Sequence, residues 1–145
     1  MVSFSELYTQ NHKITELSKV LLHIINDRSL CDTDVTCDMF FDYTTKVKAH
    51  LDQEERELYR DLLTHSDKEV KATATKYLSG SAEIKHVLKD YLKHWCRNKN
   101  LRIKDHTKFV KESEDIFNLI NDRISDEVEN FYPMVRDIYG TKMAA

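Results

Sequence analysis

Two segments of the chain carry residue types that could hold a metal ion. The first runs from His50 through Glu54, Glu55 and Leu58 to Tyr59. The second runs from Arg123 through Glu127, Glu129 and Phe131 to Tyr132 and Pro133. In a helix, residues four apart stand one above the other on a single face. His50 and Glu54 can therefore present an imidazole nitrogen and a carboxylate oxygen to one ion in the core of a four-helix bundle. The second segment keeps its glutamate, Glu127, but has Arg123 where a histidine would match His50. The pair reads as a metal-binding core that has been partly rewritten.

Helices must position these residues. Ser3 and Glu6 fit a capping box that opens a first helix near Ser3. Leu7, Ile14, Leu17, Leu21 and Ile24 then form an apolar stripe at helical spacing. Asp27 to Asp34 is polar and is predicted as a loop. A second helix is predicted from about Thr36 to Thr64, with Phe40, Val47, Leu51, Leu58 and Leu62 inward. Ser66 and Glu69 form another capping box and signal a turn near His65. A third helix is predicted from about Asp67 to Arg97, with Ile84, Leu88 and Leu92 inward. Ser79-Gly80-Ser81 interrupts it, as a bulge, a kink or a close helix contact, at a cost of ~1 kcal/mol for Gly against Ala. A loop begins at Asn98 to Asn100. A fourth helix runs from about Lys104 to Tyr132, where Pro133 ends it or starts a short terminal turn.

The composition agrees. The chain has 145 residues, 41% hydrophobic and 32% charged, with only two glycines and one proline. That suits one all-α domain over residues 1–145. Four helices of roughly 25 to 30 residues with short loops give an up-down-up-down bundle. A formal charge of −3 gives no electrostatic case for nucleic acid or an anionic membrane. No apolar run approaches a spanning helix and no secretory pattern opens the chain, so the expected location is cytoplasmic. Three cysteines do not suggest a disulfide framework.

The order of these motifs resembles the hemerythrin-like, HHE cation-binding family across nearly the whole chain. Asn11-His12 on helix one is similar to that family's Asp-His opening. His50, Glu54 and Glu55 match its His-x-x-x-Glu-Glu element, and Glu127 to Pro133 resembles its terminal run. The resemblance implies a site for non-haem iron, usually two ions bridged by carboxylates. It also implies binding or sensing of a small diatomic ligand, oxygen or nitric oxide, or iron handling. On helix three the family pattern places Ser81 at a histidine ligand position, and on helix four Arg123 stands at another. His86 is a poor substitute, about 7.5 Å further along the helix and turned away.

The resemblance thus leaves His12, His50, Glu54 and Glu127 as metal ligands. One ion, iron or zinc, suits that set better than two. Arg123 could instead replace the metal charge beside the carboxylates, with Ser81 making room for it. The protein would then be a metal-free regulatory or protein-interaction module. An enzyme is the less supported reading, because no substrate pocket or acid-base pair is legible.

Elsewhere, Cys31, Cys37, Cys96 and His94 are expected at the opposite pole, with the cysteines reduced and metal-free. His65 and His106 are expected to be exposed. Trp95, Phe131, Tyr132 and Tyr139 are read as core or partner contacts.

Overall fold

The computed structural model describes residues 3–98 and 100–139. It is all-α apart from one short hairpin. The helices are α1 (Phe4–Ile25), α2 (Asp34–Glu54), α3 (Arg60–Leu63), α4 (Lys68–Trp95), α5 (His106–Asp126) and α6 (Tyr132–Tyr139). A π-helical turn, Glu55–Tyr59, joins α2 to α3, and a second, Glu127–Phe131, joins α5 to α6. α1 packs on α2 and α5, while α4 packs on α5 and α2. Among the described residues no helix is long and apolar enough to cross a membrane.

Side-chain caps start the helices where the sequence offers a short polar residue. Ser3 accepts from the Glu6 N–H at 3.1 Å, Thr33 from Thr36 at 3.5 Å and Asp105 from Lys108 at 3.1 Å. Each cap satisfies an otherwise unpaired N–H and contributes about 1 kcal/mol. Two caps differ from expectation. α2 begins two residues early, behind Thr33. α4 is capped by Asp67, whose carboxylate accepts from the Glu69 N–H at 2.8 Å, and Ser66 is not the cap.

At two places the structure selects between stated readings, and at a third it corrects one. α4 runs unbroken through Ser79-Gly80-Ser81, so of the three readings for Gly80 the structure supports a close helix contact. The segment expected to be loop contains two paired strands, β1 (Cys96–Arg97) and β2 (Asn100–Leu101), in antiparallel register. Asn98 follows β1 at φ 53°, a left-handed conformation that Asn tolerates better than most residues. Of its two readings, Pro133 takes the second: it does not end the helix but stands at the start of the short terminal α6. The chain stays helical to Tyr139 because the π turn precedes it, with the Tyr132 N–H bonding to the Glu127 carbonyl. Proline then enters where the regular i→i−4 ladder is already broken.

The core has two apolar parts. The larger holds Phe40, Tyr43, Tyr91, Trp95, Phe109 and Phe117 with aliphatic residues from every long helix. The smaller holds Phe4, Leu7, Leu58, Tyr59, Phe131 and Tyr132. Between them, on all four long rods, the buried position in sequence is polar. These residues are Asn11, then His50 and Glu54, then Ser81, then Glu127.

Candidate metal centre

His50, Glu54 and Glu127 meet in that polar layer. One ligand atom from each lies within 4.8 Å of the others, and all three residues are buried. His50 Nε2 is 3.2 Å from Glu127 Oε1 and 3.5 Å from Glu54 Oε1. Among the described residues no other group of three His, Cys, Asp or Glu comes so close.

His12 does not join them. It is exposed on α1, and its neighbour Asn11 is the buried residue. The inward positions of α1 are Leu7, Asn11, Ile14, Ser18 and Leu21. That spacing of four and three selects Asn11 and turns His12 about 100° away. The Asn11 amide N–H donates to the Tyr132 hydroxyl at 3.1 Å.

The imidazole is oriented by a chain of side chains leading to the surface. Glu6 and Glu57 accept from Gln53 Nε2 at 3.3 and 3.1 Å. Gln53 Oε1 accepts from Gln10 Nε2 at 2.7 Å, and Gln10 Oε1 lies 2.7 Å from His50 Nδ1. Ionised carboxylates only accept, so they fix both amide orientations in turn. His50 Nδ1 must therefore carry the proton it donates to Gln10. Nε2 then faces two carboxylates, and a proton or a cation must lie between them. Ligating histidines are commonly held in this way by an acceptor on the far nitrogen.

Arg123 closes the other side. Its Nε donates to Glu127 Oε2 at 3.2 Å, Nη1 to the Tyr77 carbonyl at 2.9 Å and Nη2 to the Tyr59 hydroxyl at 2.5 Å. The guanidinium also lies 5.0 Å from the Tyr77 ring centroid, a favourable cation–π distance. Space for it comes from Gly80, where an added Cβ would sit 2.9 Å from Nη1. Ser81, which the sequence suggested for that purpose, instead donates to Glu55 at 2.9 Å. His86 is exposed and pairs with Asp90 on the surface.

The two glutamates titrate apart. Burial, then the neighbouring charge of Glu127, push Glu54 well above the usual carboxylate range. Burial also works against a charged Glu127, but the close approach of Glu54, the hydrogen bond to His50 and the charges of His50 and Arg123 outweigh it. They hold Glu127 down at about 2. The metal-free layer thus favours the neutral form of Glu54 and the ionised form of Glu127. Tyr132 donates to Glu54 Oε2 at 3.0 Å, while Glu54 Oε1 has no hydrogen-bond partner. A buried oxygen left in that state is costly and is open to a cation.

Tyr59 and Tyr132 were read from sequence only as helix and core positions. Each stands five residues after a site glutamate, a spacing that leaves the inward face of a regular α-helix. The π turns make it inward. With i→i+5 bonding the turn widens, so the residues at i+4 and i+5 flank the glutamate on the buried side. Leu58 and Tyr59 do so after Glu54, and Phe131 and Tyr132 after Glu127.

At the other pole the cysteines are free thiols. Cys37 Sγ accepts from the Leu101 N–H at 3.3 Å, and Cys31 Sγ lies 3.4 Å from Arg28 Nη1. His106 is half-buried rather than exposed, with a ring nitrogen 2.7 Å from the Ile25 carbonyl. His65 is also half-buried and accepts from the Asp67 N–H at 3.0 Å.

No family model matches the chain, and neither a curated protein nor a solved structure matches it. The function is therefore argued from the site's own geometry and from the motif resemblance.

Proposed function

We propose that this chain is a hemerythrin-like, up-down-up-down four-helix protein that binds a single cation, non-haem iron, through His50, Glu54 and Glu127. One observation carries the reading. The Gln10–Gln53 chain commits His50 Nδ1 outward, so the Nε2 lone pair points at the same small space as the unpartnered Glu54 Oε1. One nitrogen and carboxylate oxygens suit iron(II), and also zinc or manganese. Bound iron would supply open coordination positions for oxygen or nitric oxide, which gives a sensing or binding role. A cavity of about 10 Å³ beside His50 and Glu127 is otherwise walled by Ile14, Val47, Leu51, Ile84, Ile120 and Ile124 with Arg123. It has about the volume that one water molecule needs.

Arg123 limits the site to one ion, since its cation occupies Glu127 Oε2 and repels a second metal. The same contact supports a second reading, a metal-free regulatory or protein-interaction module in which Arg123 alone compensates the carboxylate. Metal analysis after anaerobic loading with iron(II), zinc(II) or manganese(II) separates the two. The first reading expects one ion per chain, lost in His50→Ala and Glu54→Gln but kept in His12→Ala. Protein that stays metal-free under all three loads would leave the module reading.

A further inference from the structure

A dense cluster of positive charge lies far from the polar layer. Residues 93–111 hold seven Lys or Arg and one Asp, a net +6 in a chain of −3, so the remainder carries −9. Part of this segment encloses a surface cavity of about 640 Å³ at the hairpin. Lys93, Arg97, Arg102, Lys104 and Lys108 line it, and all five are exposed. Some surface cations elsewhere have an acid beside them, as in Lys46–Asp42 and Lys111–Asp115. The five in the cavity form no ion pair among the described residues. The one acid on the wall, Asp105, already accepts from the Lys108 backbone N–H as the cap of α5.

Gathering like charges without counter-charge raises the energy of the folded state. A bound anion removes that cost. The scaffold beneath is firm: Trp95 is buried and donates to Glu112 at 2.5 Å, and the Arg102 N–H donates to the Trp95 carbonyl at 2.7 Å. That fixes the hairpin between Arg97 and Arg102. Two guanidinium forks and three ammonium groups around one concavity match several phosphate groups. The positive field is also local. Asp90, Glu112 and Asp115 line the adjoining groove and would repel a long polyanion. Lys108 and Arg123 are 15 residues apart on α5, about 22 Å, so this cavity is separate from the metal layer.

We propose that this cavity binds a small ligand carrying two or more phosphate groups. Inorganic tripolyphosphate is the probe, titrated into the full chain by calorimetry at low ionic strength. Trp95, the only tryptophan, lines the cavity and gives a fluorescence readout. One-to-one binding is expected, weakening steeply with salt. The double variant Arg97→Glu/Arg102→Glu should weaken it by about tenfold or more, and Lys19→Glu/Lys46→Glu, the same charge change elsewhere, by less than about twofold. No saturable binding, or equal loss in both variants, would overturn the site. Citrate binding as tightly as tripolyphosphate would overturn the phosphate assignment. A single-stranded oligonucleotide binding more tightly at the same salt would show the ligand to be a long polyanion instead.

Discussion

The two limbs of the polar layer have the same plan and differ at one residue. One limb is His50, Glu54, Tyr59 and the other is Arg123, Glu127, Tyr132, with identical spacings and a π turn that follows Glu54 in one and begins at Glu127 in the other. The tyrosines cross over. Tyr132 donates to Glu54 and Tyr59 accepts from Arg123, so each limb completes the other. Exchanging imidazole for guanidinium changes what each glutamate can do. Glu127 faces a permanent cation that favours its ionised form, while Glu54 has no such partner on its own limb and burial raises its carboxyl above the usual range. A symmetric backbone thus carries an asymmetric charge, and the proposed cation would bind on the histidine side.

The largest effect should come from removing the fixed charge. Arg123→Ala strands Glu127 in a buried site and should destabilise the metal-free protein by about 3–5 kcal/mol in equilibrium denaturation. Adding Glu127→Gln should recover a large part of that loss. A cost below about 1 kcal/mol for Arg123→Ala would break the comparison, because the limbs would then not differ in charge.

Making the limbs alike should sharpen it. Arg123→His replaces a cation by a ligand, and affinity for iron(II) or zinc(II) should rise by about tenfold or more. A second ion should also become detectable by metal analysis. Unchanged affinity and stoichiometry would mean that Arg123 does not limit the site.

Stability against pH should separate the two glutamates in the metal-free protein. Glu127 is held below its ordinary 4.5, so its contribution is present above 4.5 and is lost as pH falls towards 2. Glu54 is raised above 4.5, so its contribution is present below 4.5 and is lost as pH rises through its folded pKa. Glu127→Gln should flatten the acid side of a urea-denaturation profile and Glu54→Gln the neutral side. Slopes of the same sign for both residues would contradict the opposite shifts of the two glutamates.

The tyrosines give the smallest test. Tyr132→Phe removes a buried donor to Glu54 and should cost about 1–2 kcal/mol. Tyr59→Phe should cost about 1 kcal/mol, since Arg123 keeps Glu127 and the Tyr77 carbonyl. The reverse order in thermal melts would place the weaker support on the histidine limb.

Much of this arrangement was legible in the chain. His50 with Glu54, and Arg123 beside Glu127, follow from i,i+4 spacing, because α2 and α5 are regular up to the glutamates. The all-α class followed from apolar periodicity and scarce glycine and proline. His12 failed because a family-like dipeptide outweighed the local period, which selects Asn11. The roles of Tyr59 and Tyr132 were hidden because they depend on widened turns, and no local residue pattern marks a π turn. Gly80 was seen as an interruption, but only the packed partner, Arg123, explains it. The basic cavity was masked by an averaged net charge of −3. Averaging loses a cluster that a hairpin and two helix ends gather in space.

The π turns also say how the chain tolerates changes in its length. Each holds one residue more than a regular α turn would need to carry a glutamate and an inward tyrosine. Deleting exposed Arg56 would bring Tyr59 to the fourth position after Glu54. That is the position a plain α-helix turns inward, and the helix beyond would keep its phase. The same holds for exposed Glu129 between Glu127 and Tyr132. Single-residue deletions, usually the most damaging change inside a helix, are therefore expected to be accommodated at these two places. Two relatives of this fold could then differ by one residue in either turn and still superpose before and after it.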